Sequence, residues 1–127
     1  MYKIIRTNQA PCPIGPYTQG IIFNNIIITS GQIPINPVNG LMPISFKQQT
    51  IQVLYNIRAI INKAGFDIIN IIKVNIYLIN LNNLEQMNIL YSNFFSQYCT
   101  TYPTRTCVEV SKLPKNASIE MDVIAIK

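Results

Sequence analysis

"SFKQQTIQVLYNIRAIINKAGFDIINIIKVNIYLIN", residues 45–80, changes its period half-way along. Ser45 with Gln48 three residues later makes a capping-box pattern, and Ile51, Leu54, Ile57, Ile61 and Ala64 then recur at helical spacing until Gly65. The spacing predicts a helix over 46–64, ended by the glycine. From residue 73 the period falls to two: Val74, Ile76 and Leu78 alternate with Lys73, Asn75 and Tyr77. That is a strand with one face on a core. A helix feeding such a strand needs a sheet to lie on, so the rest of the chain must supply its other strands.

Upstream, Ile4 and Ile5 start a short β-prone segment that stops at "NQAPCPIGPY", residues 8–17, where three prolines and a glycine forbid both helix and central strand. "GIIFNNIIITSGQI", residues 20–33, reads as a hairpin turning at Asn24–Asn25, and "PINPVNGLMP", residues 34–43, as loop. Downstream, Asn83 is placed to cap a second helix whose Leu84, Met87, Tyr91, Phe94 and Tyr98 form one apolar stripe to about residue 98. Residues 105–110 and Ile119–Ile126 alternate as the last two strands, joined by the "KLPKN" turn. The order β, β-hairpin, α, β, α, β, β gives an α+β fold, with two helices packed on one face of a mixed β-sheet. The other face must then meet something else, and a second copy of the chain is the expected cover. We read residues 1–127 as a single domain.

Composition fits that reading: 49% hydrophobic and 12% charged residues supply a core and too little charge for a disordered chain. The opening "MYKIIRTNQAPC" has no apolar run behind a basic one, and no run nears the ~18 apolar residues of a membrane span, so a cytoplasmic protein is expected. Cys12, Cys99 and Cys107 are odd in number and lack metal-ligand spacing, which argues for reduced thiols and against a structural metal. The net charge of +5 comes from cations scattered between Lys3 and Lys127, a solubilising surface rather than a nucleic-acid patch.

Chemistry is narrowed first by elimination. With no histidine, the Ser-His-Asp triad, the Cys-His dyad and HExxH zinc sites are all excluded. No phosphate-cradling glycine motif is present, so no nucleotide cofactor is implied. Acid–base work falls to Asp67, Glu85, Glu109, Glu120 and Asp122. Glu85 suits the first turn of a helix, and Asp67 a solvated loop. The other three lie in or near the last two strands and are expected within reach of Arg105. In "TYPTRTCVEV", residues 101–110, alternation puts Arg105, Cys107 and Glu109 on one face of a buried-looking strand. Arg105 is either the partner of Glu109 or Glu120, or a two-pronged clamp for a small carboxylate, which would leave Glu120 free to orient or deprotonate a water. Cys107 reads as a small buried hydrophobe rather than a nucleophile. Gly31, at a strand end, could offer its N–H to a carboxylate, and Tyr17 could wall such a site.

"APCPIGPYTQG", "ITSGQIPINPVNG", "YPTRTCVEVSKLP" and "IEMDVIAI" together resemble the signature segments of the RidA (YjgF-like) family of enamine/imine deaminases, nearly end to end. The resemblance implies a chorismate-mutase-like fold assembled as a homotrimer, with the sheets forming a central barrel and a cleft at each subunit interface. It implies hydrolysis of 2-aminoacrylate, 2-aminocrotonate and their imine tautomers to 2-keto acids and ammonia, without cofactor or metal. By position, Arg105 matches the residue that binds the substrate carboxylate, and Gly31 the glycine whose N–H assists it, beside Ser30. Cys107 matches a cysteine contributing chiefly its backbone carbonyl, and Glu120 the glutamate that positions the attacking water. Tyr17 and Asn88 match further pocket residues. So matched, the polar face of "RTCVEV" becomes the floor of an intersubunit pocket for a small imino acid. Because family members have also been described as translation inhibitors and ribonucleases, an RNA-binding or RNA-cleaving protein is the rival expectation, and a non-catalytic regulator of the same fold is a third.

Overall fold

The long helix forms where its period placed it. In the computed structural model, which describes residues 1–127, α1 runs Phe46–Lys63, and the Ser45 hydroxyl caps it by accepting from the Gln48 N–H at 3.1 Å. Gly65 ends it at φ 85°, a left-handed conformation that a Cβ would oppose. The buried stripe is centred on Val53, Leu54, Ile57, Ile60 and Ile61, leaving Ile51 and Ala64 half-buried at its margins.

The strands are β1 (Lys3–Ile5), β2 (Gly20–Phe23), β3 (Ile26–Thr29), β4 (Ile71–Leu78), β5 (Thr104–Glu109) and β6 (Ile119–Ile126), in one sheet of spatial order β1-β2-β3-β6-β4-β5. β2 and β3 meet at the expected two-residue turn, where Asn24 takes φ 53°. β4 and β5 are parallel and all other pairs antiparallel, so the sheet is mixed. The parallel pair is joined through α2 (Leu84–Phe95), whereas β6 lies between β3 and β4 and separates the two strands that α1 connects.

The second helix differs from expectation at both ends. The chain enters it through a 3₁₀ turn, Leu81–Asn83, capped by the Asn80 side chain accepting from the Asn82 N–H at 2.9 Å. Asn83 therefore sits inside the turn and makes no side-chain cap. α2 stops at Phe95 rather than 98. Of its expected apolar stripe, Met87, Tyr91 and Phe94 are buried and Leu84 and Tyr98 half-buried, while Phe95, outside that stripe, is buried as well.

Both helices cover one sheet face. Between them and that face lies a core of 22 residues, including Ile57, Ile60, Val74, Ile76, Leu78, Met121 and Val123. Register then assigns every strand side chain to a face. Arg105 and Cys107 lie opposite Val74 and Ile76 of β4 and so share the helix-covered side. Glu120 and Asp122 lie opposite Tyr77 and Asn75, and so stand on the uncovered side. That side is apolar at the β1–β3 end, where Ile4, Phe23 and Ile28 are about half exposed, and polar at the β4–β6 end. No helix is long and apolar enough to cross a membrane.

Candidate functional site

A cleft of about 350 Å³ opens on the uncovered face and is lined by Ile14, Tyr17, Ser30, Gly31, Ile33, Pro114 and Glu120. Four of the seven residues named from the sequence meet here: Tyr17, Ser30, Gly31 and Glu120. The loop after β3 brings them together because Gln32 bridges to Met121 of β6, its N–H donating to the Met121 carbonyl at 2.7 Å. The Ser30 N–H donates to the Gln19 carbonyl, and the Ser30 hydroxyl to the Thr18 carbonyl. The N–H of Gly31, between them, has no backbone acceptor. A Cβ on Gly31 would collide with one Glu120 carboxylate oxygen, so glycine lets the carboxyl rest against the loop. Tyr17 is held across the mouth, its hydroxyl accepting from the Ile14 N–H at 3.2 Å.

Glu120 is half-buried, and burial, assisted by the nearby Asp122 carboxylate, pushes its carboxyl above the ordinary range. Asp122 is tied elsewhere: its two oxygens accept from Asn75 Nδ2 at 2.8 Å and from the Tyr77 hydroxyl at 3.2 Å.

Arg105, Cys107 and Asn88 do not line this cleft. β5 is an edge strand, exposed along most of its length within one chain, which corrects its reading as buried. The Arg105 guanidinium lies over the ring of Tyr91 on α2, 5.1 Å from the centroid. Neither carboxylate offered as its partner binds it: Glu109 instead accepts from the Leu81 N–H at 2.9 Å, and Glu120 stands on the opposite sheet face, two strands away. Within one chain, strand parity therefore keeps Glu120 and Asp122 from Arg105, and Glu109, although on the same face as Arg105, is engaged by Leu81 instead. The hydroxyl of Tyr91 is buried without a partner and is pushed up to about 12 by burial, and beside the Tyr91 ring stands Tyr102, whose hydroxyl shares a 2.8 Å hydrogen bond with Ser92. Asn88 is exposed, one turn before Tyr91 on the same helix. The Cys107 thiol is pushed up by burial, with Arg105 pulling partly the other way, which disfavours a thiolate nucleophile.

Residues 7–127 match the family model described as "Endoribonuclease L-PSP". The chain belongs to the endoribonuclease L-PSP (YjgF/RidA) family. Among its relatives in that family, the 2-iminobutanoate/2-iminopropanoate deaminase of Escherichia coli (strain K12) is 43% identical over 127 residues, covering 100% of this chain and 99% of the relative. Two solved structures superpose with TM-scores of 0.96: the YjgF gene product of E. coli, 42% identical, and E. coli TdcF with bound serine, 41% identical, each covering 98% of both chains. The mixed sheet with two helices on one face is thus the L-PSP fold.

Reading the sequence missed what holds this L-PSP site in place. Three buried amides grip loop backbone. Gln19 accepts from the Thr7 N–H at 2.7 Å and donates to the Thr7 and Pro11 carbonyls, both at 2.9 Å. Asn56 donates to the carbonyls of Ile33 and Ile35, and Gln49 joins the Pro43 carbonyl to the Ser118 N–H. Asn56 had a visible signal, since it stands three residues after Val53 and four before Ile60 on the apolar face of α1. A wider groove of about 690 Å³ runs between residues 7–9 and the outer side of α1, and holds none of the expected site residues.

Proposed function

We propose that this protein is a hydrolytic deaminase that converts small 2-imino and 2-enamino acids, such as 2-aminoacrylate, 2-aminocrotonate and their imine tautomers, to 2-keto acids and ammonia. The observation that carries the reading is the Glu120 carboxyl resting on Gly31 in a small, largely apolar cleft, with its proton affinity raised. A carboxyl in that state suits a group that takes a proton from an attacking water and returns it to nitrogen. Water oxygen bonds to the imine carbon as Glu120 accepts its proton. Glu120 passes that proton to the imine nitrogen to give the carbinolamine; on collapse the hydroxyl proton follows by the same route, the C–N bond breaks, nitrogen leaves as ammonia, and a carbonyl remains. The likeness to the E. coli 2-iminobutanoate/2-iminopropanoate deaminase, 43% identical end to end, supports the same reaction.

Arg105 clamps the substrate carboxylate in this reading, with Asn88 and the Cys107 backbone beside it, while Gly31 N–H, Ser30 and Tyr17 hold the substrate from the cleft side. A 2-imino acid has its carboxylate on the carbon adjacent to the imine carbon, so clamp and water must converge within one small molecule. Arg105 and Glu120 of a single chain cannot do so, because two inter-strand spacings, on the order of 10 Å, and opposite faces separate them. A complete site therefore pairs the Glu120 cleft of one copy with the Arg105 edge of the next. The half-apolar open face fits the inside of a closed ring, and we take that ring to be a homotrimer with a central barrel. Cytoplasmic placement belongs to the same reading, supported by the three free thiols.

Adding the protein to a threonine or serine dehydratase reaction tests the proposal. Release of 2-keto acid and ammonia should accelerate, and the acceleration should vanish with Arg105→Ala. No acceleration by the native protein would sink it.

A further inference from the structure

The polar end of the uncovered face carries a pair of carboxylates that the reaction above uses unequally. Glu120 and Asp122 are two residues apart on β6 and point to the same side. Their partners on β4 are Tyr77 opposite Glu120 and Asn75 opposite Asp122. Straight register would let Tyr77 serve Glu120. Instead the Tyr77 side chain reaches along the strand and donates its hydroxyl to Asp122, at 3.2 Å, where Asn75 already donates at 2.8 Å. Asp122 receives both nearby donors and Glu120 receives neither. A carboxylate accepts such bonds in its charged form, and a protonated carboxyl does not need them.

We propose that Asp122 is a positioning residue for Glu120: fixed by Asn75 and Tyr77 on the same face of the sheet, its carboxyl stands beside Glu120 and so sets the pH at which Glu120 can act on water. The groups facing Glu120 are few. Tyr77 stands across from it on β4, Asp122 along β6, and Tyr17 across the cleft, while the loop after β3 presents only Gly31, Ser30 and Ile33. No cation of the same chain lines the cleft. On the same face of β4 Lys73 is turned toward β5, its ammonium donating to the Thr106 hydroxyl at 2.8 Å, and Arg105 of a neighbouring copy would bring a positive charge to the completed site, placed on the substrate carboxylate. Two carboxyls with divergent surroundings divide their tasks, one held in place by its donors, the other left without donors and free to exchange protons. The direction of Glu120's own displacement, upward by burial and then by Asp122, agrees.

The inference rests on Glu120 being the acid–base group of the proposed reaction, and its test separates the two. The chain has only three glutamates, Glu85, Glu109 and Glu120, so side-chain carboxyl ¹³C resonances can be titrated with Glu120 assigned by Glu120→Gln. Asp122→Asn should move the Glu120 titration to lower pH, and the acid limb of kcat/KM should move with it. Tyr77→Phe, which keeps the ring and removes one donor to Asp122, should move Glu120 the same way by less, and it keeps the test open should Asp122→Asn fold poorly. A structural defect alone would instead lower the rate equally at every pH. A Glu120 titration unmoved by both substitutions overturns the proposal whatever the activity does, as does a titration that moves while the acid limb stays fixed. A titration that moves in a protein with no deaminase activity upholds the coupling of the two carboxylates and overturns the reaction assigned to them.

Discussion

Mixing two inactive proteins should restore activity. Arg105→Ala keeps the Glu120 cleft and loses the carboxylate clamp, whereas Glu120→Ala keeps the clamp and loses the water-activating group. Because the two side chains lie on opposite faces of one sheet, each complete site of the proposed assembly would draw one from each of two adjoining copies. In a ring assembled at random from equal amounts, half of the clefts carry Glu120 and half of the edges facing them carry Arg105. About one quarter of sites are then intact, so the mixture should recover about a quarter of native activity whatever the number of subunits in the ring. Either variant alone should lie about 10²- to 10⁴-fold below the native protein if each residue has its assigned role. The assay is coupled keto-acid release after co-expression, or after mixed unfolding and refolding. Activity of the mixture no higher than the mean of the two variants would refute the shared site.

Further predictions follow from the cleft and its supports. Gly31→Ala should lower kcat/KM by about 10²-fold or more while shifting the urea midpoint little, because the new methyl meets the Glu120 carboxyl rather than the core. Glu120→Gln should be inactive yet melt above the native protein at neutral pH. Folding raises Glu120's affinity for its proton, so that stabilisation is complete below the unfolded carboxyl range and lost as pH rises through the folded value; the melting gap between the two proteins should close on acidification. Asn56→Ala should cost about 1–3 kcal/mol in urea unfolding, since it strips two loop carbonyls of a buried donor.

The helix at 46–63, the hairpin and the alternation of β4 and β6 were legible because each is written in periodicity, a local property. The start of α2 was not, because Asn80 and Asn83 are both plausible caps and only the 3₁₀ turn between them decides. Alternation likewise told that Arg105 and Thr106 point opposite ways. It could not tell which side the chain's own helices would cover, since that depends on the non-local β4–β5 register. Glu120 and Arg105 stand on consecutive strands of the chain, but β4 lies between those strands in the sheet and the two side chains point to opposite faces. Gln19 and Gln49 left no mark in the pattern, because a polar residue in or beside a loop reads as solvated until the loop folds over it.

Those amides bear on how such a protein can change. Gln19, Gln49 and Asn56 hold the loops around the cleft by the carbonyls and N–H groups of Thr7, Pro11, Ile33, Ile35, Pro43 and Ser118, groups that almost any residue would supply. The loops' course is therefore fixed independently of what they display. Mutation can replace Ile14 or Ile33, and with them the shape of the cleft, while the path of the chain stays anchored: tolerance to drift in the walls, purchased by constraint at three interior positions.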